Sequence, residues 1–162
     1  MQLDDLHDLF VRELKELYNA ENQILDAFPS VIAAVSDARL RIALESHLEE
    51  TANQIDTLEQ LFRSLNEDPT GHTSKGMEGL LREVRNLLAM DTDEDVRDAG
   101  IIGAVQRIEH YEIAWYGTLH TYARILELRE PMRLLQEILQ EEKDADVTLS
   151  QIAESRVNAR AD

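Results

Sequence analysis

Cysteine is absent from the 162 residues, which excludes disulfides, thiolate zinc sites, iron–sulfur clusters and thiol catalysis. Glycine (6) and proline (3) are scarce, whereas an all-β domain, with its many turns, needs both. No apolar run reaches the roughly 18 residues that a membrane span requires. The opening Met1-Gln2-Leu3-Asp4-Asp5-Leu6-His7-Asp8 is acidic and has no apolar stretch. It does not read as a signal peptide, and the cytoplasm is the expected location. Positive charge is short as well: 16 Lys and Arg against 33 Asp and Glu leave a net charge of −17. A chain that acidic repels phosphate backbones and anionic membrane surfaces, so neither nucleic acid nor membrane is an expected partner. No phosphate-binding glycine loop and no nucleophilic triad is visible. What the chain does have is 43% hydrophobic and 30% charged residues, enough to pack a core in one domain over residues 1–162.

Apolar residues recur at spacings of three and four almost throughout, the mark of amphipathic helices. Leu6, Phe10, Leu14, Leu17, Ile24 and Phe28 form one such line and predict a first long helix over about residues 3–35. Pro29 should kink that helix without stopping it, because Val31, Ile32 and Val35 continue the pattern. Ser36-Asp37 reads as a break and a new N-cap, followed by a second long helix to about residue 66. The stretch 66–74 (NEDPTGHTS) is the clearest loop. A short amphipathic helix over about 75–90 leads to a third long helix ending near residue 127. The acidic run Asp91 to Asp98 reads as a cap for that helix and lacks the spacing and glycine of a calcium loop. A fourth long helix, with Pro131 tolerated near its start, should end near residue 156, the last residues fraying. Short joints within each pair make antiparallel hairpins, and the middle connection is long. The expected fold is all-α: a ferritin-like four-helix bundle, two hairpins joined by a crossover carrying a short fifth helix.

Most acids fall on outward faces of these helices. A few do not. Glu21 lies on the line of Leu17, Ile24 and Phe28; Glu112 interrupts Ile101, Val105, Ile108, Trp115 and Leu119; Glu142 and Asp146 share a face with Leu135, Ile138 and Leu149. On the second helix Gln54 and His47 lie within the apolar arc, with Glu50 at its edge, and Glu109 sits at the edge of the third helix's arc. One buried, unpartnered carboxylate costs several kcal/mol, and several together repel one another. No lysine is placed to pair with them, and Arg107 and Arg124 read as outward. Two divalent metal ions would neutralise four carboxylates, and an oxygen-rich site suits hard cations, iron or manganese. Glu21 and Glu50 stand 29 positions apart, Glu112 and Glu142 30, a near-repeat that sets each pair at similar height on its hairpin. A lone Glu on an apolar seam is ordinarily a boundary residue with its head in water. Three seam acids together with Glu50 and Glu109 favour metal binding over a metal-free bundle with a hydrated polar core.

The same stretches carry a family resemblance. Leu17-Tyr18-Asn19-Ala20-Glu21-Asn22-Gln23, His47-Leu48-Glu49-Glu50-Thr51, Val96-Arg97-Asp98-Ala99, the run from Glu109 through His110-Tyr111-Glu112-Ile113-Ala114-Trp115-Tyr116-Gly117-Thr118 to Leu119, and Glu141-Glu142-Lys143 resemble the YciF/YciE family. These are small ferritin-like proteins, several of them linked to stress responses. The likeness covers nearly the whole chain, including Met77-Glu78-Gly79-Leu80 at the start of the crossover helix. It implies a four-helix bundle, a homodimer and a di-metal site, and it names no reaction. Di-iron bundles commonly use one Glu from each of two helices and Glu-x-x-His from each of the other two. Here Glu50 is followed at the third position by Asn53 and Glu142 by Ala145. Gln54 and Asp146, one place further on, still share a face with them.

The expected metal ligands are therefore Glu21, Glu50, Glu112 and Glu142, completed or bridged by Gln54, Glu109 and Asp146. They would hold two divalent metal ions, iron first, with manganese or zinc as alternatives. The function expected is iron binding with reaction toward peroxide or oxygen in stress protection. The competing reading is a non-enzymatic structural or partner-binding dimer with a structural ion or none. His47 is read as a core-edge histidine bonded to Glu50 or to backbone, with imidazole ligation as the alternative. His110 is read as a boundary residue, and His7, His72 and His120 as surface. Tyr18, Tyr111, Trp115 and Tyr116 flank the acids and read as core aromatics.

Overall fold

The computed structural model describes residues 3–162, and the expectations for Met1 and Gln2 lie outside the described residues. Five substantial helices follow one another: α1 (Leu6–Ala34), α2 (Ala38–Leu65), α3 (Lys75–Leu88), α4 (Glu94–Ile125) and α5 (Arg129–Ile152). No strand occurs among the described residues. The boundaries follow local chemistry. Asp5, Asp37, Ser74 and Asp93 each accept a hydrogen bond from a backbone N–H of the first turn they precede, satisfying donors that have no intrahelical partner. Asn66, at φ 57°, ends α2 in the left-handed conformation that asparagine tolerates. α1 runs on through Pro29 to Ala34.

α1 packs on α2 and α4 on α5 as hairpins; α2 meets α5 and α1 meets α4 across the bundle, and α3 lies against α1 and α4. This is the two-hairpin, one-crossover arrangement expected from the pattern. The apolar lines converge on one continuous core, with Phe10, Leu14, Leu17, Ile24 and Phe28 of α1 fully buried against Leu40, Leu58, Ile101, Val105, Ile108, Leu119 and Leu135.

Two expectations need correction. The C-terminal segment does not end near residue 156 and fray. A π-helical turn, Ala153–Val157, carries the helix on to a last turn, Asn158–Arg160, because Val157 is fully buried. Arg156 and Arg160 then reach back to Asp37, and Arg160 also pairs with Asp95. Nor does the whole acidic run Asp91 to Asp98, most of which lies inside α4, act as the cap of that helix. Asp93 does, but Asp98 is buried and reaches across to α2, accepting the N–H groups of Ser36 at 3.0 Å and Asp37 at 2.6 Å. The N-terminus of α2 is thus closed by one carboxylate of its own and one from α4.

Candidate metal centre

Four glutamates from three helices meet in the middle of the bundle. Glu21 of α1, Glu109 and Glu112 of α4 and Glu142 of α5 are each fully buried. α4 can deliver two because residues three apart share a helix face. α2 contributes His47, Thr51 and Gln54, all buried and spaced four and then three residues apart on its inner face. One ligand atom from each of His47, Glu109, Glu112 and Glu142 lies within 4.8 Å of the others. The His47 Nε2 is 3.4 Å from Glu109 Oε1.

Few of these groups have hydrogen-bond donors. The Tyr116 hydroxyl donates to Glu21 Oε1 at 2.5 Å, and Gln54 Nε2 donates to Glu142 Oε1 at 2.6 Å. Among the described residues Glu109 and Glu112, as carboxylates, find no donor for either oxygen, and both nitrogens of His47 are likewise without a hydrogen-bond partner. Without a cation the acids can lessen their repulsion only by retaining protons, in the pairs Glu21 with Glu112 and Glu109 with Glu142. Burial, followed by the charge of Glu142, pushes the Glu21 carboxyl up to about 8. Burial raises Glu142 to about 7. Glu109 and Glu112 are held well above the usual carboxylate range by burial and then by neighbouring acids. Burial acts on His47 in the other direction, pulling it down to about 4, so the imidazole is neutral at physiological pH.

The sequence placed Glu21, Glu109, Glu112, Glu142 and Gln54 in or beside one centre, and the fold brings those five together. It does not bring Glu50 or Asp146 with them. Glu50 lies about 60° around α2 from His47, as three residues at 3.6 per turn require, and its side chain is 41% exposed. Asp146 sits one turn beyond Glu142, where Gln106 Nε2 donates to it at 3.0 Å and His110 lies 3.2 Å away. His110 is largely exposed, in keeping with a boundary position. His47, read from the sequence as bonded to Glu50 or to backbone, stands 4.0 Å from Glu50 through Nδ1. That distance is too long for a hydrogen bond, no backbone group bonds to His47 among the described residues, and its Nε2 faces Glu109. Its place in the apolar arc of α2 was the available signal. Tyr116 likewise is more than packing, since its hydroxyl holds Glu21.

A cavity of about 190 Å³ leads from the surface between α2 and α5 to this centre. His47 and Glu109 line its inner part, and Glu50, Glu141 and Asp144 its outer part. Glu50 is held above its ordinary value by partial burial and then by the charges of Glu141 and Asp144.

Over residues 5–162 the chain matches the family described as a domain of unknown function, DUF892. Protein YciF of Escherichia coli (strain K12) is 38% identical over 163 residues, covering 100% of this chain and 98% of YciF. The crystal structure of that stress protein superimposes with a TM-score of 0.92 over 96% of this chain and 99% of its own. YcfI from Rhodopseudomonas palustris, also 38% identical, gives a TM-score of 0.91 over 94% of this chain and 97% of that one. A protein from Xanthomonas campestris pv. campestris, 22% identical, shares the fold with a TM-score of 0.78 over 96% and 95% of the two chains.

Proposed function

This chain belongs to the DUF892 family, and from that premise we propose that it is a ferritin-like stress protein binding two divalent metal ions, iron foremost, among its buried carboxylates. The observation that carries the reading is the set of orphaned ligand atoms: both oxygens of Glu109 and of Glu112, one oxygen each of Glu21 and Glu142, and both nitrogens of His47. Each unmet buried polar group costs about 1–3 kcal/mol, more if charged. Among the described residues no Lys or Arg forms an ion pair with any of the four acids; the contact recorded is with the neutral His47.

The donor set fits the proposed ions. Carboxylate oxygens with one neutral imidazole suit iron, manganese or zinc, and ligation requires His47 to be unprotonated, as burial already makes it. His47, Glu109, Glu112 and Glu142 would form the nearer ligand group, with Glu21 adding a carboxylate from α1. Gln54 and Tyr116 would serve as positioning residues, fixing Glu142 and Glu21 by the hydrogen bonds they donate. Bound iron would supply one-electron exchange with peroxide or oxygen, a chemistry suited to stress protection, and Escherichia coli YciF is described as a stress protein. The surrounding apolar core, including the fully buried Ile24, Ile108 and Leu135, limits water around the acids.

The reading includes a homodimeric, cytoplasmic protein that engages neither nucleic acid nor membrane. The net charge of −17 disfavours nucleic acid and anionic membrane surfaces, and among the described residues no helix is long and apolar enough to cross a membrane. The test is metal content. Protein stripped with chelator is loaded anaerobically with Fe(II), and bound metal is quantified by mass spectrometry. About two irons per chain, lost in Glu142→Ala, is the expected result.

A second reading is favoured by the burial of Glu21, Glu109, Glu112 and Glu142, which raises all four carboxyls toward their neutral forms. In that reading the bundle is a structural or partner-binding dimer, with its core acids protonated. Absence of bound iron, manganese and zinc alike would select it.

A further inference from the structure

The cavity between α2 and α5 joins two tiers of acids. At its mouth stand Glu50, Glu141 and Asp144, exposed or half-exposed, and no Lys or Arg lines it. At its inner end lie Glu109, fully buried with neither oxygen hydrogen-bonded, and His47, 4% exposed with both nitrogens unpartnered. Two side chains of α2 span the tiers. His47 Nδ1 is 4.0 Å from Glu50 of the mouth, while its Nε2 is 3.4 Å from Glu109 inside. Gln54 Nε2 donates to Glu141 at 3.0 Å and to Glu142 at 2.6 Å. Each mouth acid so linked therefore connects through one neutral side chain to one interior acid.

We propose that this cavity is the route by which divalent cations reach the buried acids, with Glu50, Glu141 and Asp144 forming an outer capture site and His47 passing the ion from Glu50 to Glu109. The inference rests on the metal-binding reading above and adds to it where the ion arrives. Exposed carboxylates at a cleft raise the local cation concentration and speed association. They can hold an ion with most of its water, which a buried site cannot. The imidazole, uncharged and unpartnered, offers one nitrogen toward each tier. Glu141 and Asp144 crowd Glu50 with like charge, a repulsion that a captured cation would relieve. Glu50 thereby has a role without belonging to the interior group.

The experiment compares loading rate with final stoichiometry in the full chain. Chelator-stripped protein is mixed with Co(II) in a stopped-flow instrument and followed by cobalt absorbance, at low and at high salt; Co(II) bound at equilibrium is measured separately. The variants are Glu50→Gln with Asp144→Asn, which discharges two of the three mouth acids, and Ala145→Phe, which narrows the cavity. Both are expected to load about tenfold more slowly at low salt and to reach the wild-type stoichiometry. The wild-type rate should fall steeply with salt, and that of the discharged variant less steeply. Wild-type loading rates in both variants would overturn the route while leaving the buried site intact. A lower final stoichiometry in the discharged variant would make its acids part of the permanent ligand set and would also overturn the proposal. No Co(II) bound by the wild type would remove the metal-binding reading itself, and the route with it.

Discussion

The hydroxyl of Tyr116 on α4 lies 2.5 Å from a carboxylate oxygen of Glu21 on α1, both groups fully buried. Among the described residues the Glu21 carboxylate accepts a hydrogen bond from this hydroxyl alone, and its other oxygen meets no donor. Tyr116→Phe should therefore destabilise the metal-free protein by about 1–2 kcal/mol, read as a lower urea midpoint with unchanged m-value. A midpoint equal to wild type would show that the contact contributes nothing to stability.

The clustered acids set a pH dependence opposite to that of a protein held by surface ion pairs. Glu21 and Glu142 titrate near 8 and 7 when folded, against an ordinary 4.5, and Glu109 and Glu112 are also raised. Between pH 4.5 and 8 the folded chain thus binds more protons than the unfolded one, and stability falls as pH rises. His47, lowered from 6.5 to about 4, acts the other way, removing stability as pH falls through that range. Four acids against one imidazole leave the first effect dominant. With chelator present, the melting temperature should decline from pH 6 to pH 8. With metal bound the decline should be absent, because cations replace the protons and affinity rises with pH.

Removing one interior charge should help the metal-free fold. Glu112→Gln keeps the shape and deletes a group whose oxygens meet no donor. We expect a gain of about 1–2 kcal/mol at pH 8, smaller at pH 6 where protons already do the same service. Calorimetry in chelator measures this. Loss of stability at both pH values would count against an electrostatically frustrated core.

Asp98 is expected to matter more than its surface-like sequence context suggests. It accepts backbone N–H groups of Ser36 and Asp37 from a fully buried position. Asp98→Ala should cost about 2–3 kcal/mol. Asp98→Asn, which keeps one acceptor oxygen, should cost less. Equal urea midpoints for Asp98→Ala and the wild type would refute the bridging role.

The crossover helix is keyed to the bundle at Gly76. A Cβ there would clash with the Tyr111 hydroxyl oxygen and meet Cζ at 2.7 Å. Gly76→Ala should destabilise by about 1–3 kcal/mol, and adding Tyr111→Phe should restore part of that loss by removing the nearest atom. A double-mutant cycle with no interaction energy would mean that the ring simply moves aside.

Periodicity alone makes a charged residue visible when it interrupts an apolar line, and Glu21, Glu112 and Glu142 were legible for that reason. Glu109 could be placed only at an edge, because the arc that α4 buries is wider than its strict apolar line: Ile102, Ala104 and Tyr116 are buried as well. The choice between His47 and Glu50 depends on the rotation of α2, which its neighbours set, and a rotation of about 60° lies within what a helical wheel leaves open. Asp146 shares the face of Glu142 but not its surroundings, since one turn along the helix Gln106 and His110 replace the interior. Asp98 was beyond reach. Its partners lie 61 and 62 residues away in sequence, and nothing in its local pattern distinguishes it from the caps nearby. The family resemblance pointed to the bundle and the acids as a set, without saying which acid ends at the cavity mouth.

Asp37 divides its two oxygens between distant parts of the chain. Oδ1 accepts the N–H groups of Arg39 and Leu40, whereas Oδ2 meets Arg156 and Arg160, 119 and 123 residues later. During synthesis the α1–α2 hairpin leaves the ribosome long before those arginines exist. Until they emerge Oδ2 of Asp37 has neither arginine, and the joint between the hairpin's helices cannot reach its final state before Asn158–Arg160 is in place. Folding is therefore ordered in time at this point. The joint of the α1–α2 hairpin is locked by contacts from arginines made 119 and 123 residues after Asp37.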